Sequence, residues 1–155
     1  MLQRIQSVWL LLATICIFAL FLFPYLQSVN TGSGFKSVKA TGIYESVGGQ
    51  VVQTEGFLGI TIATVVLGLI PFAAIFLYKN RKRQLMICYL AILLILGYTF
   101  WLVQTAKSYI GSVTLQWENY GIGILLPSLA VLFTILAIRG IKRDEKLIKS
   151  AERLR

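Results

Sequence analysis

The side chains that could contact a ligand or partner in this sequence are mainly basic, and they fall into two short segments. The candidate contact residues are Lys79, Arg81, Lys82, Arg83, Lys142, Arg143, Lys146, Lys149 and Arg153. Both segments directly adjoin apolar stretches, a placement typical of side chains that bind anionic lipid headgroups. An acidic partner would be recognised by the same charges. A purely orienting role in the membrane is the simpler alternative.

Residue types that support catalysis or metal binding are scarce. The chain has no His, which removes the commonest general base and a common zinc ligand. Cys16 and Cys88 lie within apolar stretches, so we interpret both as packing residues. Asp144 and Glu145 are adjacent and would point to different faces of a helix, which predicts a solvated face for them. We therefore predict no enzyme activity, no cofactor and no metal site.

Four apolar segments separate and position these residues. They cover residues 5–26, 57–78, 85–106 and 120–138. About 20 apolar residues are needed to cross the hydrocarbon core of a bilayer as a helix. The composition agrees, because 57% of the residues are hydrophobic and only 14% are charged. The predicted fold class is an all-α membrane protein, a four-transmembrane-helix bundle that forms a single domain over residues 1–155.

Two features qualify these segments. The first segment follows Arg4, as the apolar part of a signal peptide would, but it is long and no A-x-A-like cleavage site follows it. We therefore predict an uncleaved span. Pro71 and Pro127 lie in the second and fourth segments, where a missing backbone donor predicts a kink in each helix.

Residues 27–56 form a polar, glycine-rich connection on one side of the membrane. Phe35, Val38 and Ile43-Tyr44 could face one side of a short strand, and residues 51–54 could form another. Gly48-Gly49 between them suits a hairpin turn. A hairpin alone is marginally stable, so it would have to lie on the membrane surface or on a neighbouring loop. A mobile loop is the alternative.

Residues 140–155 form a charged tail after the last apolar segment. Leu147, Ile148, Ala151 and Leu154 recur at helical spacing, and Glu145 and Lys149 form a favourable i, i+4 pair. The pattern predicts an amphipathic cytoplasmic helix that lies on the membrane surface or docks a membrane-protein partner.

The distribution of basic residues predicts the orientation. Four spans place both termini on one side, and that side carries 12 of the 15 Lys and Arg residues. By the positive-inside rule both termini are cytoplasmic, and we expect a bacterial inner-membrane location. The net charge of +9 comes without a groove-reading motif, so we predict no nucleic-acid binding.

The function hypotheses follow from the apolar segments. None of them contains Asp, Glu, Lys, Arg or His, whereas ion- or proton-coupled transporters usually carry such residues within the bilayer. We therefore favour a non-enzymatic scaffold or accessory subunit of an envelope complex. The alternative is a small transporter or oligomeric channel with a hydrated cavity near Pro71, Tyr98 and Pro127.

The two ends of the chain carry a family resemblance. The opening residues 1–8 with the leucine run after them, Asn119-Tyr120-Gly121, Leu126-Pro127 and residues 139–155 resemble a family of small, uncharacterised four-span membrane proteins from Bacteroidota. The resemblance covers the whole length and is most specific at the ends. It implies the same four-span topology. That family has no assigned activity, so the resemblance implies no site residues.

Overall fold

The computed structural model describes residues 2–30, 35–47, 50–78, 80–110 and 119–153. Within these residues the chain forms four α-helices and one four-stranded antiparallel sheet. The helices are α1 (Leu2–Ala19), α2 (Leu58–Phe76), α3 (Arg81–Ile110) and α4 (Leu126–Arg153). The sheet is inserted between α1 and α2, and a 3-10 turn at Ile122–Ile124 precedes α4.

The four helices form a closed ring. α1 packs against α2 and α4, and α3 packs against the same two helices. Two cores of buried apolar side chains fill the ring; one contains Ile17, Leu20 and Ile95, and the other contains Leu10 and Ile141. Helices of a bundle are held mainly by such apolar packing.

Three of the described helical segments are long and apolar enough to cross a membrane: Leu58–Phe76, Arg81–Tyr109 and Ile122–Leu147. The apolar part of α1, Ile5–Ala19, is shorter. The segment predicted over residues 5–26 is therefore not one continuous helix. Pro24 disfavours a helical backbone at Phe23, and the amides of residues 20–23 bond to carbonyls of residues 17–19 in tight turns before the sheet begins at Leu26.

The sheet is a meander in the order β1-β2-β3-β4. Its strands are β1 (Leu26–Asn30), β2 (Phe35–Lys39), β3 (Gly42–Val47) and β4 (Gln50–Gly56). The predicted hairpin is present as the antiparallel pair β3 and β4, although its turn at residues 48–49 lies outside the described residues. The predicted first strand is divided, because Phe35 and Val38 belong to β2 and pair with β3.

One face of the sheet covers one end of the helical ring. Val29, Val38, Ala40 and Ile43 are buried and belong to the same apolar core as Phe57, Tyr98 and Leu102. We call this end of the ring the sheet end. The opposite end, where α1 begins, α2 is followed by α3, and α4 extends beyond Ile138, is called the basic end.

Pro127 lies in the first turn of α4 instead of its interior. The chain from Gly121 to Leu125 forms 3-10 turns, and α4 begins only at Leu126. A proline in the first turn costs no hydrogen bond, since the amides there have no helical partner. The kink predicted at Pro127 was therefore wrong, whereas Pro71 does lie inside α2.

Candidate functional site

The basic end brings together the two basic segments that the sequence singled out. Arg81, Lys82 and Arg83 form the first turn of α3, while Lys142, Arg143 and Lys146 lie on α4. Arg81 is half-buried and the other five side chains are exposed. Lys79 and the side chains of Lys149 and Arg153 lie outside the part of the chain that the structure describes.

A direct contact links the two segments. The Lys142 ammonium nitrogen lies 5.5 Å from the centre of the Tyr89 ring on α3. Tyr89 is about two helical turns from the Arg81–Arg83 cluster, so both basic segments share one end of the α3–α4 pair. Segments about 60 residues apart in sequence therefore form one charged surface.

The start of α3 carries an electrostatic imbalance. Three cations occupy the helix N-terminus, where the helix dipole is already positive and anions are favoured. The Asn80 side-chain oxygen accepts a hydrogen bond from the Arg83 amide at 3.4 Å and caps one free donor. The Arg81 Nη1 atom is buried and has no hydrogen-bond partner among the described residues. This arrangement favours an anionic group at the basic end.

A buried polar pair lies beneath the charged surface. The Gln6 amide nitrogen donates to the Asp144 carboxylate at 2.5 Å, and both residues are 7% exposed. The pair joins the beginning of α1 to α4. Gly140, one turn before Asp144, faces the same glutamine: a Cβ there would lie 2.9 Å from Gln6 Cγ. Hydrogen bonds to charged groups are stronger than neutral ones, so the pair helps to fix α4 against α1.

The solvated face predicted for Asp144 was therefore wrong. A sequence signal did exist, because Ala137, Ile141 and Asp144 continue the buried stripe of α4 at spacings of four and three residues. The stripe shows that Asp144 faces the neighbouring helices. It does not identify the partner, since Gln6 is 138 residues away.

A second buried glutamine joins the other two helices. The Gln84 amide nitrogen donates to the Ala74 carbonyl at 3.0 Å, and Gln84 is 3% exposed. The bond ties the first turn of α3 to the last turn of α2, where the Ala74 carbonyl also accepts the Leu77 amide at 3.3 Å. Side-chain hydrogen bonds therefore close both helix pairs at the basic end.

The tail over residues 140–155 is not a separate element. α4 runs without interruption to Arg153, which confirms helical structure for the described part of the tail. Ile141 and Asp144 are buried in the ring, while Lys142, Arg143, Lys146 and Leu147 are exposed. The first turns of the tail are thus part of the packed bundle.

Hydroxyl groups inside the ring are mostly bonded to their own helix. Thr14, Thr64 and Thr134 each donate to the carbonyl four residues earlier, at distances between 2.7 and 3.0 Å. Thr64 also contacts the Tyr98 hydroxyl at 2.6 Å. Cys16 and Cys88 are free thiols in different cores, and no cluster of metal-ligating side chains occurs among the described residues. These groups are accounted for by packing.

Comparison with protein families places the chain in one of them. Residues 2–154 match the family described as a domain of unknown function, DUF4293. The chain belongs to this family. The helices, the sheet and the described part of the basic end all lie within residues 2–154, so they belong to one domain of this family. The family that the two chain ends resemble has no assigned activity, and the matched family is likewise described as one of unknown function. Comparison with curated proteins found no match.

Proposed function

We propose that this member of DUF4293 is a four-span protein of a bacterial inner membrane, with both termini in the cytoplasm. Its role is that of a non-enzymatic scaffold or accessory subunit of an envelope complex. The basic end recruits anionic lipid headgroups or an acidic membrane partner. The observation that carries the proposal is a helical ring with an apolar interior that exposes two basic segments together at one end.

The length of α1 is compatible with a fourth span. Its 18 residues extend about 27 Å, close to the ~30 Å hydrocarbon thickness. The turns after Ala19 are also apolar and add to this depth. α1 packs along α2 and α4, two helices that are long and apolar enough to cross a membrane. These contacts support placing all four helices in the bilayer.

The charge distribution supports the orientation. The start of α1 lies beside the end of α4, and the end of α2 lies beside the start of α3, because of the Gln6–Asp144 and Gln84–Ala74 bonds. Both pairs lie at the basic end, since the core that contains Leu10 and Ile141 also contains Ala74 and Cys88. Basic residues near the ends of spans are retained in the cytoplasm. The sheet end therefore faces the periplasm.

The cavities favour a scaffold over a transporter. Tyr98 lines a groove between α2 and α3, and Pro127 lines a separate pocket between α3 and α4. Pro71 lines neither of these cavities. Their walls are almost entirely apolar, whereas a path for ions or protons requires ionisable or polar groups.

A labelling experiment tests the orientation. In a background without Cys16 and Cys88, Val51→Cys on the exposed strand β4 should react with a membrane-impermeant maleimide in spheroplasts, since Val51 is 70% exposed. Lys146→Cys at the basic end should react only after permeabilisation. Labelling of Lys146→Cys in intact spheroplasts would overturn the orientation.

A purification experiment tests the scaffold role. Purification of the native protein in mild detergent should recover a stoichiometric partner. The partner should be lost from the triple variant Lys142→Gln, Arg143→Gln, Lys146→Gln. Lys36→Gln with Lys39→Gln is the matched control at the sheet end and should retain the partner. Deletion of residues 148–155 tests the distal tail without removing the buried Ile141 and Asp144. A protein that purifies alone under all conditions would contradict the proposal.

A further inference from the structure

The two edges of the sheet differ in what covers them. On the β1 edge, Leu26 forms an antiparallel bridge with Tyr120. The Asn119 side chain also donates to the Ser28 carbonyl there at 3.0 Å. On the other edge, β4 pairs only with β3 in the part of the chain that the structure describes, and every residue of β4 is exposed. The outer edge of β4 therefore offers backbone donors and acceptors to another strand.

The sequence of β4 lacks the residues that usually keep an edge strand unpaired. Such strands often carry Lys or Pro. β4 contains neither, and its Val51 and Val52 side chains are 70% and 53% exposed. A bulge next to the ring leaves Thr54 without a partner on β3, but residues 50–53 pair regularly with β3. This regular segment is suited to accept a further strand.

The register of the β3–β4 hairpin shows which backbone groups point outward. Antiparallel strands exchange hydrogen bonds at every second residue pair. The loop between Val47 and Gln50 has two residues, so these residues close the hairpin as a hydrogen-bonded pair. By this alternation, Val51 and Gln53 direct their N–H and C=O groups away from β3.

A second copy of β4 satisfies these outward groups. When two copies run antiparallel about a two-fold axis, Val51 of each copy lies opposite Gln53 of the other, and each such pair exchanges two backbone hydrogen bonds. Val52 then faces Val52 of the second copy. Glu55, the only charged residue of β4, lies outside the paired segment, so no like charges are opposed.

The membrane placement proposed above is compatible with this symmetry. Copies that share one membrane orientation are related by a two-fold axis along the membrane normal. An antiparallel pair of edge strands has its two-fold axis perpendicular to the sheet, and one face of this sheet covers the end of the ring. One axis close to the ring axis therefore meets both requirements. Confinement to one membrane also holds both β4 edges at the same height, which raises their effective concentration.

We propose that two copies of the protein form a dimer in which their β4 strands pair and join the two meanders into one continuous antiparallel sheet. The strand that covers the β4 edge is thus β4 of a second copy. The dimer rests on the membrane placement above, but not on the scaffold role or on a partner at the basic end. Side chains of β4 remain on the two faces of the joined sheet, so Val51 stays open to maleimide.

Disulfide cross-linking in native membranes tests the pairing. In the background without Cys16 and Cys88, copper–phenanthroline oxidation should join Val52→Cys into a covalent dimer, because the two opposed Cα atoms would be about 4.5 Å apart. Val51→Cys is the matched control. Each Val51 lies opposite Gln53, so the two Val51 Cα atoms are roughly 8 Å apart, beyond the reach of a disulfide. On non-reducing gels, Val52→Cys should cross-link at least about tenfold faster.

Val51→Pro tests whether the backbone carries the contact. It removes the outward N–H of each copy and leaves the hydrogen bonds to β3 in place, as a proline on an edge strand does. Combined with Val52→Cys, it should slow cross-linking about tenfold, the equivalent of two backbone hydrogen bonds per dimer. The melting temperature should stay at that of the parent, since the fold within each copy is unchanged.

A charge exchange tests whether the partner is a second copy. Differently tagged copies with Val52→Lys and Val52→Glu should co-purify about threefold to tenfold more than two copies with Val52→Lys. The reason is that opposed like charges destabilise a strand pair, whereas unlike charges stabilise it. The same exchange at Ser46 is the control and should show no preference, since Ser46 lies opposite Val51 of its own chain.

Three results would overturn the inference. The first is cross-linking of Val51→Cys as fast as that of Val52→Cys, or no dimer from either. The second is the absence of a charge preference at Val52. The third is a cross-link from Val52→Cys to a different protein in place of the dimer, which would assign the edge to a strand of that protein. Labelling of Lys146→Cys in intact spheroplasts would overturn the orientation alone, so the two failures are distinguishable.

Discussion

The two ends of the helical ring are closed by different kinds of contact. At the sheet end, backbone bonds backbone: the Gly121 amide donates to the Tyr25 carbonyl at 3.1 Å, and the Gly123 amide donates to the Pro24 carbonyl at 3.0 Å. At the basic end, glutamine side chains carry the connections from Gln6 to Asp144 and from Gln84 to Ala74. The sheet end is therefore joined mainly through the backbone, with the Asn119 side chain adding a bond to the Ser28 carbonyl at 3.0 Å. The basic end is joined through its two glutamine side chains.

This difference determines which substitutions each end tolerates. A backbone contact has no flexible atoms that can move away, so added volume there displaces the chain itself. A side-chain contact can rearrange, and its loss costs mainly the desolvation of the partner left behind. Because buried side chains close the basic end, its outer surface is free to carry charge. Four substitutions test this comparison.

Gly121→Ala should have the largest effect. A Cβ at this position would overlap the Pro24 carbonyl oxygen, and at Gly123 it would lie 2.7 Å from the same atom. We expect a loss of about 2–4 kcal/mol in the free energy of unfolding, because backbone must shift to make room. Equilibrium unfolding in mixed micelles provides the measurement.

Gly97→Ala is the matched control for that substitution. A Cβ there meets nothing within 4 Å. Alanine is the better helix former, so the variant should be neutral or more stable by about 0.5–1 kcal/mol. Equal destabilisation by Gly97→Ala and Gly121→Ala would refute the special role of the backbone contact.

Asp144→Ala should rank second. It removes the acceptor of the buried Gln6 amide, and leaving that donor unpaired should cost about 1–3 kcal/mol. Asp144→Asn retains an acceptor oxygen of the same reach and should lose less than half as much. If both variants unfold at the same denaturant concentration as the parent, the side-chain tie at the basic end contributes nothing.

Gly140→Ala should have a smaller effect than Gly121→Ala, although both glycines are tightly packed. The closest atom to a Cβ at Gly140 is Gln6 Cγ at 2.9 Å, which belongs to a flexible side chain. We expect a loss of about 1 kcal/mol after the glutamine rearranges. Combining Gly140→Ala with Asp144→Ala should give less than the sum of the two losses, since both act through Gln6. Full additivity would show that the sites are independent.

Lys142→Gln should have the smallest effect. It tests a kind of contact, a lysine over an aromatic ring, that both ends of the ring contain. Its ammonium lies 5.5 Å from the Tyr89 ring centre, and Lys39 at the sheet end lies 5.4 Å from the Tyr44 ring centre. Cation–π contacts contribute about 0.5–1 kcal/mol at exposed sites such as Lys142 with Tyr89, and more where they are shielded from water. Because Lys39 and Tyr44 are half-buried, Lys39→Gln should lower stability by at least as much as Lys142→Gln, and both losses should be small. A large loss in one variant alone would indicate an additional contact there.

Much of the fold could be predicted from local patterns. Apolar runs over residues 57–78, 85–106 and 120–138 locate α2, α3 and α4, because a helix long enough to cross a membrane needs an uninterrupted apolar stretch. The predicted helix boundaries were less accurate. Pro24 shortens α1 and Pro127 starts α4, and in both cases the position of proline within its element decides its effect.

The candidate site was predictable in part. The charges of Arg81–Arg83 and of residues 142–146 are local features, so the sequence identified them without a structure. Their proximity was not predictable, since it depends on α3 packing beside α4. The burial of Tyr25 was missed for the same reason. A tyrosine at the end of an apolar run fits a membrane interface. Only the packed neighbours show that its hydroxyl is buried, with no hydrogen-bond partner in the part of the chain that the structure describes.

The sequence alone determined the apolar segments, the asymmetry of charge and the hairpin of β3 and β4, because each depends on residues close together in the chain. The tertiary structure decided how the ends are closed. The meander joins β1 and β2 to that hairpin, Tyr120 pairs with Leu26, and Gln6 meets Asp144. These contacts link residues far apart in sequence, and the free energy that favours them arises only when the whole ring excludes water or lipid from its interior.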